Sequence, residues 1–190
     1  MPSTATPFGL RPIYHPSGRI PQEVNTITTG YSTNIFQYAP VKIAIDGSLQ
    51  AAAAGERAVG VLLGVEYTDA TSVRRVSNYW PASTSATNIV AYFTRDPSIR
   101  YEIQGDGSVT QLMMGSQFDW TTVTVGSTTS GLSQVALGVS TETDDANAGL
   151  AVLDVGHEVD NAWGDTYTNV IVRISEHQDV ADRAAYGSTT

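Results

Sequence analysis

The chain has no cysteine, so disulfides, thiolate metal sites and thiol nucleophiles are excluded from its 190 residues. Charge is also scarce: 15% of residues are charged, and Lys42 is the one lysine beside nine arginines. No apolar run approaches the roughly 20 residues needed to span a bilayer, and no basic start followed by an apolar core suggests a signal peptide. Neither a membrane role nor export is expected. Helix-forming stretches are few; 48–54 and 178–185 are the only candidates for short helical turns. What is abundant is small and hydroxylated: 17 Ser and 23 Thr, with 17 Gly, while the apolar share of 41% is that of an ordinary globular protein. This composition favours β structure whose surface contacts do not depend on charge.

The net charge is −9. It is uneven, since residues 1–21 hold Arg11 and Arg19 and no acid, whereas 142–190 hold ten acids against Arg173 and Arg183. So acidic a chain would repel phosphates, and nucleic acid is not an expected partner.

Five of the eight prolines fall within the first 21 residues, at Pro2, Pro7, Pro12, Pro16 and Pro21. Each removes a backbone donor and restricts the residue before it, so neither helix nor central strand is expected there. An extended arm over 1–25 is the natural reading. It carries apolar side chains, Phe8, Leu10, Ile13 and Tyr14, that a simple linker does not need. Ordering such an arm costs roughly 1–2 kcal/mol per residue, more than four anchors at about 1.5–3 kcal/mol each return. A receiving surface is therefore required, either a neighbouring subunit or the chain's own body.

From residue 26 onward the pattern is β, and 26–190 reads as one domain. Val41, Ile43 and Ile45 alternate before an Asp46-Gly47 turn. A nearly continuous apolar run, 58–67, is broken by Gly60 and Gly64, as bulges or close approaches require. The runs 89–94 and 99–104 flank Arg95-Asp96-Pro97-Ser98 and suggest a hairpin with Ile99, Tyr101 and Ile103 inward. Further strands are expected at 121–125, 135–139, 150–155 and 170–174, with a loop at 127–130. Strands at this spacing indicate an all-β fold: a jelly-roll-like sandwich or small barrel preceded by the Pro-rich arm.

Chemistry-bearing motifs are sparse. His15, His157 and His177 lack metal-ligand spacing and read as surface or turn residues. Gly105-Asp106-Gly107 lacks the later Gly and Lys of a phosphate loop and reads as a turn. No Ser sits in a nucleophile-elbow pattern. The acidic stretch 142–148, with Asp144, Asp145 and Asn147, lacks the register of a calcium loop and reads as solvated. No enzyme activity, metal or cofactor is expected. Trp80, Trp120, Trp163 and nine tyrosines could form a sugar-stacking face, although aromatics in a β protein are more often core or contact residues.

Two segments, PFGLRPIYHPSG at 7–18 and the stretch 31–81 that begins YSTNIFQYAPVKIAIDG and ends VRRVSNYWP, resemble a family of tailed-bacteriophage head decoration (cement) proteins. The similarity continues through NIVAYFTRDPSIRYEIQ at 88–104. The resemblance implies a virion protein on the outer surface of an icosahedral capsid, assembled in the host cytoplasm. It would bridge major capsid protein subunits and form a homo-oligomer, a trimer or dimer. Phe8, Leu10, Arg11, Ile13, Tyr14 and Arg19 are the candidate arm contacts, with Tyr79 and Trp80 as a second contact. The alternatives are a tail or adaptor component of the virion, and a carbohydrate-binding sandwich.

Overall fold

A computed structural model of the chain describes residues 4–143 and 148–180. The chain forms two antiparallel sheets of six strands each, packed face to face around one shared core. Of the two architectures expected from sequence, it is the sandwich. The first sheet contains β1 (Arg11–Tyr14), β8 (Arg100–Gln104), β12 (Asn169–Ile174), β11 (Leu150–Val155), β9 (Gln117–Trp120) and β10 (Leu137–Thr143), in that spatial order. The second runs β2 (Glu23–Asn25), β7 (Ala86–Phe93), β5 (Gly60–Asp69), β3 (Pro40–Ile43) and β4 (Leu49–Ala51), with β6 (Arg74–Ser77) also on β5.

Alternation builds the core. Tyr101 and Ile103 of β8, Val170, Val172 and Ile174 of β12, and Leu150 and Val152 of β11 are buried and face Leu62, Val65, Ala91 and Phe93 of the other layer. The indole Nε1 of Trp120 donates to the Ala52 carbonyl at 3.0 Å and so ties the layers together inside the core. In β5 the pairing with β7 slips between Leu62 and Gly64, a bulge at the glycine-flanked position expected to hold one.

Residues 11–25, read from sequence as part of an arm, instead carry two strands of the sandwich. β1 pairs with β8 at one end of the first sheet, and β2 pairs with β7 at one end of the second. Pro12 is tolerated because β1 is an edge strand. The anchor count made from sequence omitted these backbone pairings. Further hydrogen bonds hold the segment, Thr6 N–H to Gln104 Oε1 at 2.7 Å, Gly9 N–H to the Val135 carbonyl at 3.1 Å and Leu10 N–H to the Tyr38 carbonyl at 2.9 Å. Gly9 makes the approach possible. Its φ is +79°, and a Cβ there would lie 2.6 Å from the Tyr38 carbonyl oxygen. Leu10 then enters the core with no exposed surface.

Other sequence expectations are corrected. The runs 89–94 and 99–104 do not form a hairpin: β7 and β8 lie in different sheets, and Arg95-Asp96-Pro97-Ser98 crosses between them. Ile99, Tyr101 and Ile103 do face inward. Residues 49–51 form β4 rather than a helical turn, and no strand forms at 121–125: β9 ends at Trp120 and the chain turns at 123–124. Ile45 is fully exposed on the β3–β4 turn, so the alternation from Val41 ends at Ile43. The remainder of the proposed helical turn at 178–185, from residue 181, and Asp144, Asp145 and Asn147 of the acidic stretch lie outside the described residues.

Candidate interaction surface

β1 and β2 are consecutive in the chain yet edge different sheets, and β7 and β8 beside them are likewise consecutive and divided between the sheets. The N-terminal segment therefore runs along one flank of the sandwich, parallel to the crossover between β7 and β8. Two side-chain contacts fasten the crossings to each other. His15 Nε2 lies 3.2 Å from Asp96 Oδ2, and Arg95 Nη1 lies 3.2 Å from Glu23 Oε2. Arg95 also reaches Asp179 through Nε at 2.8 Å. These hydrogen bonds hold the Asp179 carboxyl below its ordinary range and the Arg95 guanidinium above its own. The Ser98 backbone N–H, more than His15, lowers Asp96.

Pinned in this way, the flank leaves apolar side chains in solvent. Ile13 is 42% exposed, Tyr14 47% and Val24 62%. Arg19, on the connector between the two edge strands, is exposed and pairs with no acid among the described residues. Phe8 is half-buried beneath the Arg11 guanidinium, 4.9 Å from the ring centre.

Arg11 itself is committed within the chain. Its guanidinium donates from Nε to Glu102 Oε2 at 3.1 Å and makes a closer contact from Nη2, and Glu158 Oε1 stands 3.8 Å away. Glu102 is buried on the outer side of β8, roofed by the stretch around Gly156 and Asn161. Burial pushes its carboxyl up, with Glu158 adding to that, while Arg11 pulls it down.

The eight residues expected to make contacts thus separate. Ile13 and Tyr14 are exposed on β1 and Arg19 on the connector that follows it, with Phe8 partly open and Arg11 paired at home. Leu10 and Trp80 have no exposed surface and belong to this chain's core. Tyr79 is half-buried and stacks on Phe36 at 5.5 Å between centroids. Trp80 packs edge-on against Tyr67 at 5.3 Å, and its Nε1 has no hydrogen-bond partner among the described residues. Trp80 and Trp120 are therefore closed to sugar stacking, and Trp163 is half-buried.

Among the histidines, His157 is exposed beside Asp154 at 3.7 Å. His177, expected at the surface, is 2% exposed. The Asp179 N–H donates to its Nδ1 at 3.2 Å, which leaves the proton on Nε2, and that atom makes no well-formed hydrogen bond among the described residues. Among the described residues no group of three His, Asp or Glu side chains is placed to hold a metal ion.

Sequence reading missed Val24 and Val76. Both project from the outer face of the second sheet, where Val24 is opposite Tyr92 and the 76%-exposed Val76 is opposite Glu66. The strands that carry them, EVN and RRVS, are too short to display a period. Arg74 covers Glu66 between them, and the Tyr92 hydroxyl donates to Glu66 at 3.0 Å. No family model matches the chain, nor does any curated protein or solved structure.

Proposed function

We propose that this chain is a capsid decoration protein of a tailed bacteriophage. It binds the outside of the icosahedral head, bridges neighbouring major capsid subunits and stabilises the shell, associating with itself as a trimer or dimer. The observation that carries this reading is the pair of edge strands: a Pro-rich segment that edges both sheets, is held by backbone pairing and side-chain contacts, and still leaves Ile13 and Tyr14 at the edge of the first sheet and Val24 at the edge of the second open to solvent. Exposed apolar side chains on a rigid strand lose little entropy when a partner covers them. The resemblance of 7–18, 31–81 and 88–104 to head decoration proteins supplies the partner.

In this reading the sandwich acts as an inert body and the flank as the contact. A stable contact buries on the order of 1,600 Å². Repetition around a shell raises retention well beyond that of one site. Leu10 and Trp80 serve by holding the fold rather than by touching the partner, and Arg11 serves by pinning β1 through Glu102.

The test is binding to purified heads from which decoration has been stripped. The full chain should saturate them at a copy number comparable with that of the major capsid protein, whereas an adaptor would stop at a small fixed number. Replacing Ile13 and Val24 together by Ser should lower affinity by about tenfold or more, since each loses most of roughly 1 kcal/mol of apolar contact. Wild-type affinity in that variant would move the contact elsewhere on the molecule.

A further inference from the structure

Most of the chain's few cations are already neutralised. Arg11, Lys42, Arg57, Arg74, Arg75 and Arg95 each meet a carboxylate. Among the described residues three cations have no ion pair: Arg19, Arg100 and Arg173. Two of those, Arg100 and Arg173, line a single cleft of about 400 Å³ with Tyr14, Pro16, Pro97 and Leu153.

Strand register brings the two arginines together. β8 and β12 are antiparallel with Tyr101 opposite Val172, so the next position sets Arg100 opposite Arg173. Tyr101 and Val172 are buried and both arginines are exposed, so the guanidinium groups share the outer face of the first sheet. Like charges directly opposite across strands destabilise a sheet. Among the described residues no free carboxylate relieves them: Glu102, on the same face of β8, is taken by Arg11. Asp96, beside Pro97, is engaged by His15 at 3.2 Å and by the Ser98 N–H at 2.7 Å. Asp154, beside Leu153, has His157 at 3.7 Å. On the far side of Arg173 the opposed residue is Ala151, which offers no charge. Tyr14 from β1 lies against Arg100, with the guanidinium carbon 5.0 Å from the ring centre, and this contact orients the group without neutralising it.

We propose that this cleft binds a carboxylate side chain on an extended acidic segment of a neighbouring polypeptide. Two guanidinium groups at cross-strand spacing can clamp one carboxylate between them, or two from alternating positions of an extended strand. Tyr14, Pro16, Pro97 and Leu153 provide apolar walls for the methylene stem. A nucleic acid fits less well, because a polyanion meets the field of a chain with net charge −9, whereas a short acidic segment meets chiefly the local pair. The source of the segment, a major capsid subunit, rests on the function proposed above; the chemistry of the cleft does not.

The experiment is fluorescence anisotropy on the full chain with a labelled hexapeptide of alternating Glu and Ser, set against the same peptide with Gln for Glu. The Glu peptide should bind at least about tenfold more tightly and weaken as salt rises. Arg100→Gln and Arg173→Gln should each reduce its affinity by about tenfold, while Arg75→Gln, on the other sheet and paired with Asp69, leaves it unchanged. Neither cleft variant should lower the thermal midpoint, because each removes a repulsion. Equal binding of the two peptides, or no effect of either cleft substitution, would overturn the proposal. So would competition by inorganic phosphate as strong as that by the Glu peptide, since the cleft would then be a general anion site. If the wild-type chain binds the peptide but no heads, the shell subunit is removed as the source and the carboxylate site stands.

Discussion

Gly60 opens β5 where its backbone passes the Thr94 carbonyl, and a Cβ built there would sit 1.8 Å from that oxygen. Thr94 cannot give way freely. Its hydroxyl accepts from Val61 N–H at 3.0 Å and bonds the buried Tyr101 hydroxyl at 2.9 Å, a link between the two layers. Gly60→Ala must therefore displace main chain, and we expect a loss of roughly 1–3 kcal/mol or more in urea unfolding. Tyr101→Phe, which removes only the hydroxyl end of the same link, should cost about 1 kcal/mol. His177 is a second site where one side chain decides a property. Burial holds its imidazole below the ordinary histidine range, and Asp179, the main chain of Val59 and Arg95, and Asp96 offset this only in part, with the Arg95 guanidinium bonded to Asp179 close by. The unfolded chain thus binds this proton at a higher pH than the folded one does. The histidine's contribution is complete above about pH 6.5 and declines as pH falls below that value. Between pH 7 and 5 the stability of His177→Phe should fall less steeply than that of the wild type, as read from urea midpoints. Parallel slopes would mean that the imidazole is already hydrated in the folded protein.

The edge strands are the elements on which the fold and the proposed contact both depend. β1 is short, yet it caps β8, carries Arg11 over the buried Glu102 and follows Leu10 into the core. Removing residues 1–22 should therefore destabilise the body itself, by the roughly 2–5 kcal/mol of a deleted core leucine together with the pairing of β1. A truncated chain with an unchanged thermal midpoint would mean that a neighbouring subunit, rather than the chain's own body, is the surface this segment needs. A milder version separates charge from packing. Arg11→Met leaves Glu102 buried without its partner and should cost about 1–3 kcal/mol, less than a fully enclosed pair because Arg11 is half exposed. Adding Glu102→Gln should recover much of that loss, because the neutral amide no longer requires a cation. The strands with clean alternation, 99–103 and 170–174, were legible from sequence because one face of each is solid core, and 150–155 was legible as a short, mostly apolar run. The stretch 48–54 was not. Its alanines suit a helix locally, but Val41, Lys42 and Ile43 supply a partner strand that local propensity does not register. The 89–104 crossover was misread for a related reason: Asp96-Pro97 marks a turn without saying whether the next strand returns to the same sheet. Of the candidate contacts, Ile13 and Tyr14 were visible as apolar residues in a Pro-rich setting. The facing of Arg100 and Arg173 depends on a register set by residues about seventy apart, which no local pattern contains.

At the scale of the whole molecule, the order of the chain decides how it unfolds. It lays down one edge of the first sheet as β1, builds the entire second sheet from β2 to β7, and returns to complete the first from β8 to β12. The second sheet is thus contiguous in sequence, from residue 23 to 93, and could be taken for a separable unit. Its inner face argues otherwise. Leu62, Val65, Ala91 and Phe93 are buried against the side chains of the first sheet, and one hydrophobic cluster runs through both layers. A single sheet stripped of its partner would expose that face to water, at about 25 cal/mol for each Å² of apolar surface uncovered. The Trp120–Ala52 and Tyr101–Thr94 hydrogen bonds would be broken as well. The flank adds ties of its own, because β1 and β2 hold opposite sheets while sharing one short connector fastened to the crossover at Asp96 and Arg95. Neither sheet can leave without breaking the other's edge. Calorimetry should accordingly show one transition with equal van't Hoff and calorimetric enthalpies, on the order of 130 kcal/mol near 60 °C for 190 residues. Two resolved peaks would mean that residues 23–93 fold alone. The flank would then be a joint between two bodies, able to change the spacing of Ile13 and Val24, and could not serve as the rigid surface that a shell contact requires.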